Sequence, residues 1–337
     1  MKAKSPVTSV DVAKAAGVSQ STVSLVLSGK AAGRVSPSTQ ALVEKTARRL
    51  GYQPNISAQV LRTGAAKVLA LAVPNVQQPY FGQVLVAAEL TAREHNYAVI
   101  LIDTTTDRFW ATRLVGMISS RLVAGCIVYA SDDQSDPILS SIKNSVVFIE
   151  AEDPKTSEID LNNSGGMHAV VDHLAGLGHR RIGYFAAEYQ KATFRRRFES
   201  FLHATKRAGL SFLASWRISS TFELDVATVR ARRLIEDINV TAIFCDDDLL
   251  AGAAYRAARG LGVLIPTQLS IVGFNDIEAA RLLTPELTTV AIPAELIGRS
   301  AVELLLEKLV GPRKAKRSTM IADLELRVRE STAPPGR

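Results

Sequence analysis

Ser19, Gln20, Ser21 and Thr22 stand together just past Gly17, in the run TSVDVAKAAGVSQSTVSLVLS that covers residues 8–28. Their hydroxyl and amide groups donate and accept hydrogen bonds in a small space. That chemistry suits base edges and phosphate oxygens.

The elements that position these side chains can be read from spacing. Val10, Ala13 and Ala16 recur at helical intervals. Gly17 supplies a position for positive φ, as a tight inter-helix turn requires. Ser19 is placed to cap a second helix with Val23, Val26 and Leu27 on its apolar face. That helix exposes Ser19, Gln20, Ser21, Thr22 and Leu25. The pattern is a helix-turn-helix, with an ordinary helical hairpin as the plainer alternative. A third helix starts at Ser36-Pro37, carries Leu42, Val43, Ala47 and Leu50 as its core stripe and stops at Gly51. The stretch ISAQVLRTG that follows is only one to two turns long and is marginal as an isolated helix.

Charge marks the same segment. The chain has 337 residues and a net charge of +7. Residues 1–66 hold nine Lys or Arg against only Asp11 and Glu44, so the remainder is neutral. A segment that is both basic and helically patterned points to a polyanion partner. Cys126 and Cys245 lie in short apolar runs and read as buried thiols of a reducing compartment. The longest nearly uninterrupted apolar stretch, 122–130, is far short of the ~18 residues of a membrane span, and no apolar leader is expected at the N-terminus. The expected location is cytoplasmic, with no membrane contact.

VTSVDVAKAAGVSQSTVSLVLSGK, followed by GYQPNISAQVLRTG, resembles the head and hinge of the lactose-repressor/galactose-repressor family, and the resemblance runs to about residue 330. It implies a transcription regulator, most often a repressor, that reads a pseudo-palindromic double-stranded DNA operator as a homodimer or tetramer. Gln20 and Ser21 would touch base edges. Ser19, Thr22, Ser24 and Asn55 would contact or orient on phosphates. Ala58 and Leu61 would enter the minor groove, with Leu61 as a wedge between base steps rather than a core side chain. Many members have Arg where Leu25 stands, and Leu makes no bidentate contact to guanine.

From Lys67 onward, apolar runs alternate with amphipathic stretches. Residues 68–73, 98–102, 125–130 and 146–149 read as buried strands, and a second series includes 181–185, 241–245 and 269–274. Between the first two strands a helix presents Val84, Leu85, Ala88 and Ala92. Such alternation implies parallel sheets covered on both faces, with ligands near the carboxyl ends of the strands. The expected fold is therefore an all-α helix-turn-helix head and an α/β domain of two lobes with parallel sheets, and the family resemblance adds that the lobes are arranged like a periplasmic binding protein. The expected division is a head over 1–52, a hinge over 53–66 and an effector-binding and dimerisation domain over 67–337. The lobes of that domain are expected at about 67–160 plus 292–320 and at 161–288.

Four stretches carry the resemblance through this domain: 78–81, 177–185, 246–266 and 270–290. Residue by residue, they imply a small-molecule effector pocket, for a sugar or related metabolite, that includes Tyr80, Phe81, Thr193, Arg197, Phe222, Asp247 and Asn275. Phe222 would offer a ring face, and Arg197 would hold hydroxyls or a carboxylate. Many members have Asn in place of Asp247 and Asp in place of Asn275, so donors and charge are exchanged. Asp247 also reads as a helix cap, and at least one of Arg195, Arg196 and Arg197 as part of a solvated face.

An enzyme is not expected. There is no phosphate-binding loop and no G-x-S-x-G, and the GxG at 176–178 precedes a strand instead of following one. The five histidines show no metal-ligand spacing with the cysteines, and nothing calls for a cofactor or a metal. A secreted sugar-binding protein would have no use for the basic head. A constitutive DNA-binding protein with a vestigial sensor stays open.

Overall fold

The computed structural model describes residues 7–27, 29, 31–52, 66–130, 135–189, 191–236, 240–311 and 319–336. The chain divides into two units, Met1–Ala66 and Lys67–Arg337.

The smaller unit is helical. Helix α1 (Ser9–Ala16) begins at Thr8, whose hydroxyl accepts from the Asp11 amide while the Asp11 carboxylate accepts from the Thr8 amide. It ends at Gly17 with φ 65°, where a side chain would be strained. Helix α2 (Gln20–Leu27) follows, and α3 (Pro37–Leu50) starts at a Ser36 cap and stops at Gly51, φ 66°. The three helices share one core, including Val12, Ala13, Ala16, Val23, Val26, Val43 and Ala47. Two expectations fail here. Val10 is 41% exposed, and Val12 is buried in its place. Leu42 is 47% exposed, and Thr46 joins Val43 and Ala47 inside. Each residue step turns a helix by about 100°, so Leu42, one step from Val43, points off the stripe.

The larger unit holds two six-stranded sheets. The first contains β1 (Val68–Val73), β2 (Ala98–Asp103), β3 (Gly125–Tyr129), β4 (Val146–Ile149) and β5 (Ile159–Leu161). The second contains β6 (Ile182–Ala187), β7 (Arg217–Ser220), β8 (Ala242–Cys245), β9 (Ser270–Asn275) and β10 (Thr288–Ala291). Strand β11 (Met320–Ala322) returns to the first sheet and β12 (Glu325–Arg327) to the second. The orders are β11-β5-β4-β3-β1-β2 and β12-β10-β9-β8-β6-β7. Every pairing is parallel except β10 with β12, an antiparallel edge that apolar patterning did not announce. The chain thus passes between the sheets three times, after β5, after β10 and after β11.

The central strands β1, β3, β4, β6, β8 and β9 are buried almost throughout, as continuous apolar runs should be when helices cover both faces. Those helices are α4 (Pro79–Glu94), α5 (Trp110–Ser119), α6 (Ser135–Leu139), α7 (Asn163–Gly176), α8 (Ala192–Arg207), α9 (Leu224–Glu236), α10 (Asp248–Leu261), α11 (Ala279–Leu282) and α12 (Ala294–Val310). Helix α12 packs on α4 so closely that a Cβ on Gly298 would lie 2.5 Å from the Val84 carbonyl oxygen. Among the described residues, no helix is long and apolar enough to cross a membrane.

Candidate functional site

In the head, the polar cluster lies where α2 begins. The Ser19 hydroxyl accepts from the Thr22 amide at 3.1 Å and lies 2.7 Å from Ser21 Oγ and 2.8 Å from Thr22 Oγ1. Gln20 Nε2 donates to Ser9 Oγ at 3.0 Å, which ties the side chain to α1. Ser19, Gln20 and Ser21 are exposed, while Thr22, Ser24 and Leu25 are half-buried. The start of α2 therefore carries a compact group of donors and acceptors open to solvent. Lys14, Arg34, Lys45, Arg48 and Arg49 are exposed on the same unit. Asn55, Ala58 and Leu61 lie outside the described residues.

In the larger unit, a cavity opens where the carboxyl ends of both sets of strands meet. Pro74 and Asn75 follow β1, Ala130 follows β3, Glu150 follows β4, and Gln78, Tyr80 and Phe81 begin α4. From the other sheet come Tyr189 after β6, Phe222 after β7, Asp246 and Asp247 after β8, and Asn275 at the end of β9. Thr193, Phe194 and Arg197 project from the first turns of α8. All seven residues expected in the pocket, Tyr80, Phe81, Thr193, Arg197, Phe222, Asp247 and Asn275, line this cavity.

The wall is aromatic and charged, with Glu150, Asp246 and Asp247 against Arg197 and Lys191. Tyr80 and Tyr129 share a hydrogen bond of 2.9 Å, and with Phe81 their rings form edge-to-face pairs. Tyr189 and Phe222 lie 5.4 Å apart, centroid to centroid. Arg197 is buried with its guanidinium carbon 3.4 Å from the Phe274 ring centroid, and its Nη1 donates to the Asp246 carbonyl at 2.7 Å. Its charge is met by Asp246 Oδ1 at 3.3 Å, and that carboxylate also accepts from the Tyr184 hydroxyl and the Ala187 amide.

Three consecutive carboxyls do three different jobs. Asp246 pairs with Arg197. Asp247 caps α10 through the Leu249 amide at 2.7 Å and accepts from Asn275 Nδ2 at 2.7 Å. Asp248 accepts from the Ile277 amide and the Thr289 hydroxyl, joining α10 to the β9–β10 connection. Burial pushes Asp247 up to about 7, against the opposing pull of the Leu249 amide and Arg197. Burial also raises Asp246, Asp248 and Glu150. Both readings of Asp247 hold geometrically: it caps a helix and it lines the cavity. The exchanged pair Asp247 and Asn275 is bonded to each other on the cavity lining.

Helix α8 also reaches across to the other lobe. Thr193 Oγ1 donates to Glu150 Oε1 at 2.7 Å, Arg195 pairs with Glu152 at 2.5 Å, and Arg196 donates to the carbonyls of Ala151 and Glu152 at 2.6 and 2.7 Å. Of the arginine run, Arg195 is the one on a solvated face. Glu150, Asp246, Tyr129, Tyr189 and Gln78 escaped sequence reasoning. Glu150 and Asp246 stand one residue past their buried runs and Tyr129 inside one, so attention to the carboxyl end of each run would have found these three.

Residues 9–55 match the model described as "Bacterial regulatory proteins, lacI family", and residues 171–332 match "Periplasmic binding protein-like domain". The chain is 30% identical over 328 residues to the HTH-type transcriptional repressor PurR of Mannheimia succiniciproducens, covering 95% of this chain and 97% of that one. The chain belongs to the lacI family. Among solved structures, a lac repressor dimer bound to operator and the anti-inducer ONPF superposes with a TM-score of 0.86 at 25% identity, covering 98% of this chain and 100% of that one. A transcriptional regulator CelR–cellobiose complex superposes with a TM-score of 0.72 at 26% identity, covering 96% and 99%. The lacI-family chain is accordingly a DNA-binding transcription regulator with a small-molecule effector domain, and the PurR relative is a repressor, not an enzyme.

Proposed function

We propose that the chain represses transcription from a pseudo-palindromic operator in the cytoplasm, and that a sugar or related metabolite in the interlobe cavity releases it from DNA. The observation that carries this reading is the cavity itself: side chains from both sheets and from α8 converge on one aromatic and charged space. We assign operator reading to residues 1–52, with Gln20 and Ser21 on base edges and Ser19, Thr22 and Ser24 on phosphates. Residues 53–66 serve as the hinge, in which Asn55 holds a phosphate and Ala58 and Leu61 enter the minor groove. Residues 67–337 sense the effector and hold the dimer. Tyr80, Phe81 and Phe222 supply apolar faces, and Thr193, Arg197, Asp247 and Asn275 supply hydrogen bonds.

The test is operator binding by fluorescence anisotropy, with operators selected from random DNA and the full-length protein titrated with metabolites. Release by one compound, lost in Arg197→Ala while bare operator affinity stays within threefold, supports the reading. An effector has to bind the two states of the protein unequally to act at all. A compound that binds the cavity and leaves operator affinity unchanged sinks it.

A further inference from the structure

Resting on the reading of the interlobe cavity as the effector site, we propose that the effector is a neutral or amine-bearing molecule rich in N–H and O–H donors, and that the cavity rejects anions such as sugar phosphates and sugar acids. Arg197 is the buried cation of the lining. Its charge is already met: Nη1 bonds to Asp246 and the guanidinium lies flat on Phe274. The other cation of the lining is the half-buried Lys191, and with Asp246 set against Arg197 it is outnumbered by two carboxyls, Glu150 from one lobe and Asp247 from the other.

Glu150 accepts from one donor, the Thr193 hydroxyl, and Asp247 from two, the Leu249 amide and Asn275. Each carboxylate offers about four acceptor positions, so capacity is left over on both. A third acceptor is Gln78 Oε1, which is buried without a partner on a side chain only 6% exposed. An orphaned buried acceptor is costly, and a ligand donor satisfies it. The matching orphan donor is one atom, Arg197 Nε. The orphaned atoms of the lining are thus one acceptor and one donor, and the spare capacity of the two carboxyls tips the demand towards ligand donors, the inventory of hydroxyl and amino groups. A phosphate or carboxylate reverses that inventory and adds like charge in a water-poor space. The faces of Tyr80, Phe81 and Phe222 meet a ring or a cationic amine with equal ease. The upward push that burial gives Glu150 and Asp247 agrees, since ligand N–H donors relieve it and an anion worsens it.

The experiment is calorimetric titration of the full-length protein with matched probes: glucose, glucosamine, glucose 6-phosphate and gluconate; ribose and ribose 5-phosphate; adenosine and adenosine 5′-phosphate. Binding is expected among the neutral or amine-bearing members, with every anionic counterpart of a binder at least tenfold weaker. In the double variant Glu150→Gln, Asp247→Asn that gap should close to within threefold. An anion that matches its neutral counterpart, or no binding by any neutral or amine-bearing member, overturns the proposal. Failure of the site reading looks different: a neutral binder whose affinity is unchanged in Phe222→Ala binds elsewhere, and both readings then fall.

Discussion

Asn162 Nδ2 donates to Asp323 Oδ1 at 2.9 Å, and the two residues sit in different passages of the chain between its sheets. Asn162 follows β5 and Asp323 follows β11. The same Asn162 accepts from the Gly165 amide at 2.9 Å to cap α7, and its own amide donates to the Ala322 carbonyl at 2.8 Å. One side chain therefore fixes the start of a helix and holds two connections side by side.

Replacing Asn162 by Ala removes a cap and the bridge together. A cap alone is worth ~0.5–2 kcal/mol, so a loss of about 1–2 kcal/mol is expected in urea unfolding. Asp323→Ala leaves the cap intact and breaks only an exposed bond, which should cost under about 1 kcal/mol. Equal losses in the two variants would show that the bridge, not the cap, carries the effect.

Gly273 leaves no room for a side chain. A Cβ there would lie 2.2 Å from Asp248 Oδ1 and 2.8 Å from Leu287. Gly273→Ala must displace the buried carboxylate that binds Thr289 and the Ile277 amide. Overpacking alone costs ~1–3 kcal/mol, and the broken bonds add to it. A midpoint in chemical denaturation within error of the parent protein would contradict this.

Stability should depend on Asp247 in a defined direction. Its folded carboxyl is raised to about 7 from an ordinary value of 3.8, so between those values the folded state holds a proton that the unfolded state has released. The contribution of this group therefore declines as pH rises from about 4 to about 7 and is level above that. Asp247→Asn removes this dependence and should gain on the parent protein by on the order of 1 kcal/mol between pH 6 and pH 8. Parallel stability profiles for the two proteins would refute the assignment.

Lobe closure should feel Arg196 more than Arg195. Arg196 is half-buried and bonds two carbonyls of the other lobe, while Arg195 makes an exposed pair with Glu152. Arg196→Ala should weaken effector binding several-fold with operator affinity near normal. Arg195→Ala should change either by less than twofold, as exposed pairs do. Calorimetry and anisotropy read the two quantities separately.

Gln20→Ala should relax base preference at one operator position, costing ~1–3 kcal/mol there if the contact is bidentate. Selection of operators by the variant decides it, and an unchanged sequence preference removes Gln20 from the base readers.

Much of this architecture was open to reading before any coordinates. The head betrays itself because Gly17, Ser36, Pro37 and Gly51 are local signals whose meaning does not depend on distant residues. The central strands were legible because strands buried on both faces are apolar without interruption. What stayed hidden is set by long-range contact. Val12 displaced Val10 because the position of α3, not the spacing within α1, decides which stripe is inside. The short strands β5, β7, β10, β11 and β12 run only three or four residues, below the length at which periodicity can speak. Glu150 and Asp246 look like ordinary surface acids in sequence. Only the meeting of two lobes encloses them.

Ala130, Glu150 and Asn275 hold φ values of 50°, 50° and 109°, conformations that side-chain-bearing residues seldom adopt. All three line the cavity at the ends of strands. Such conformations cost about 1–3 kcal/mol each and persist only where the surrounding structure over-determines them. The rim is consequently a rigid template, and a ligand that fits it loses little to backbone ordering on arrival. New specificities should then emerge by exchanging side chains on a fixed frame, so divergent relatives should keep the kinks where they change the residues.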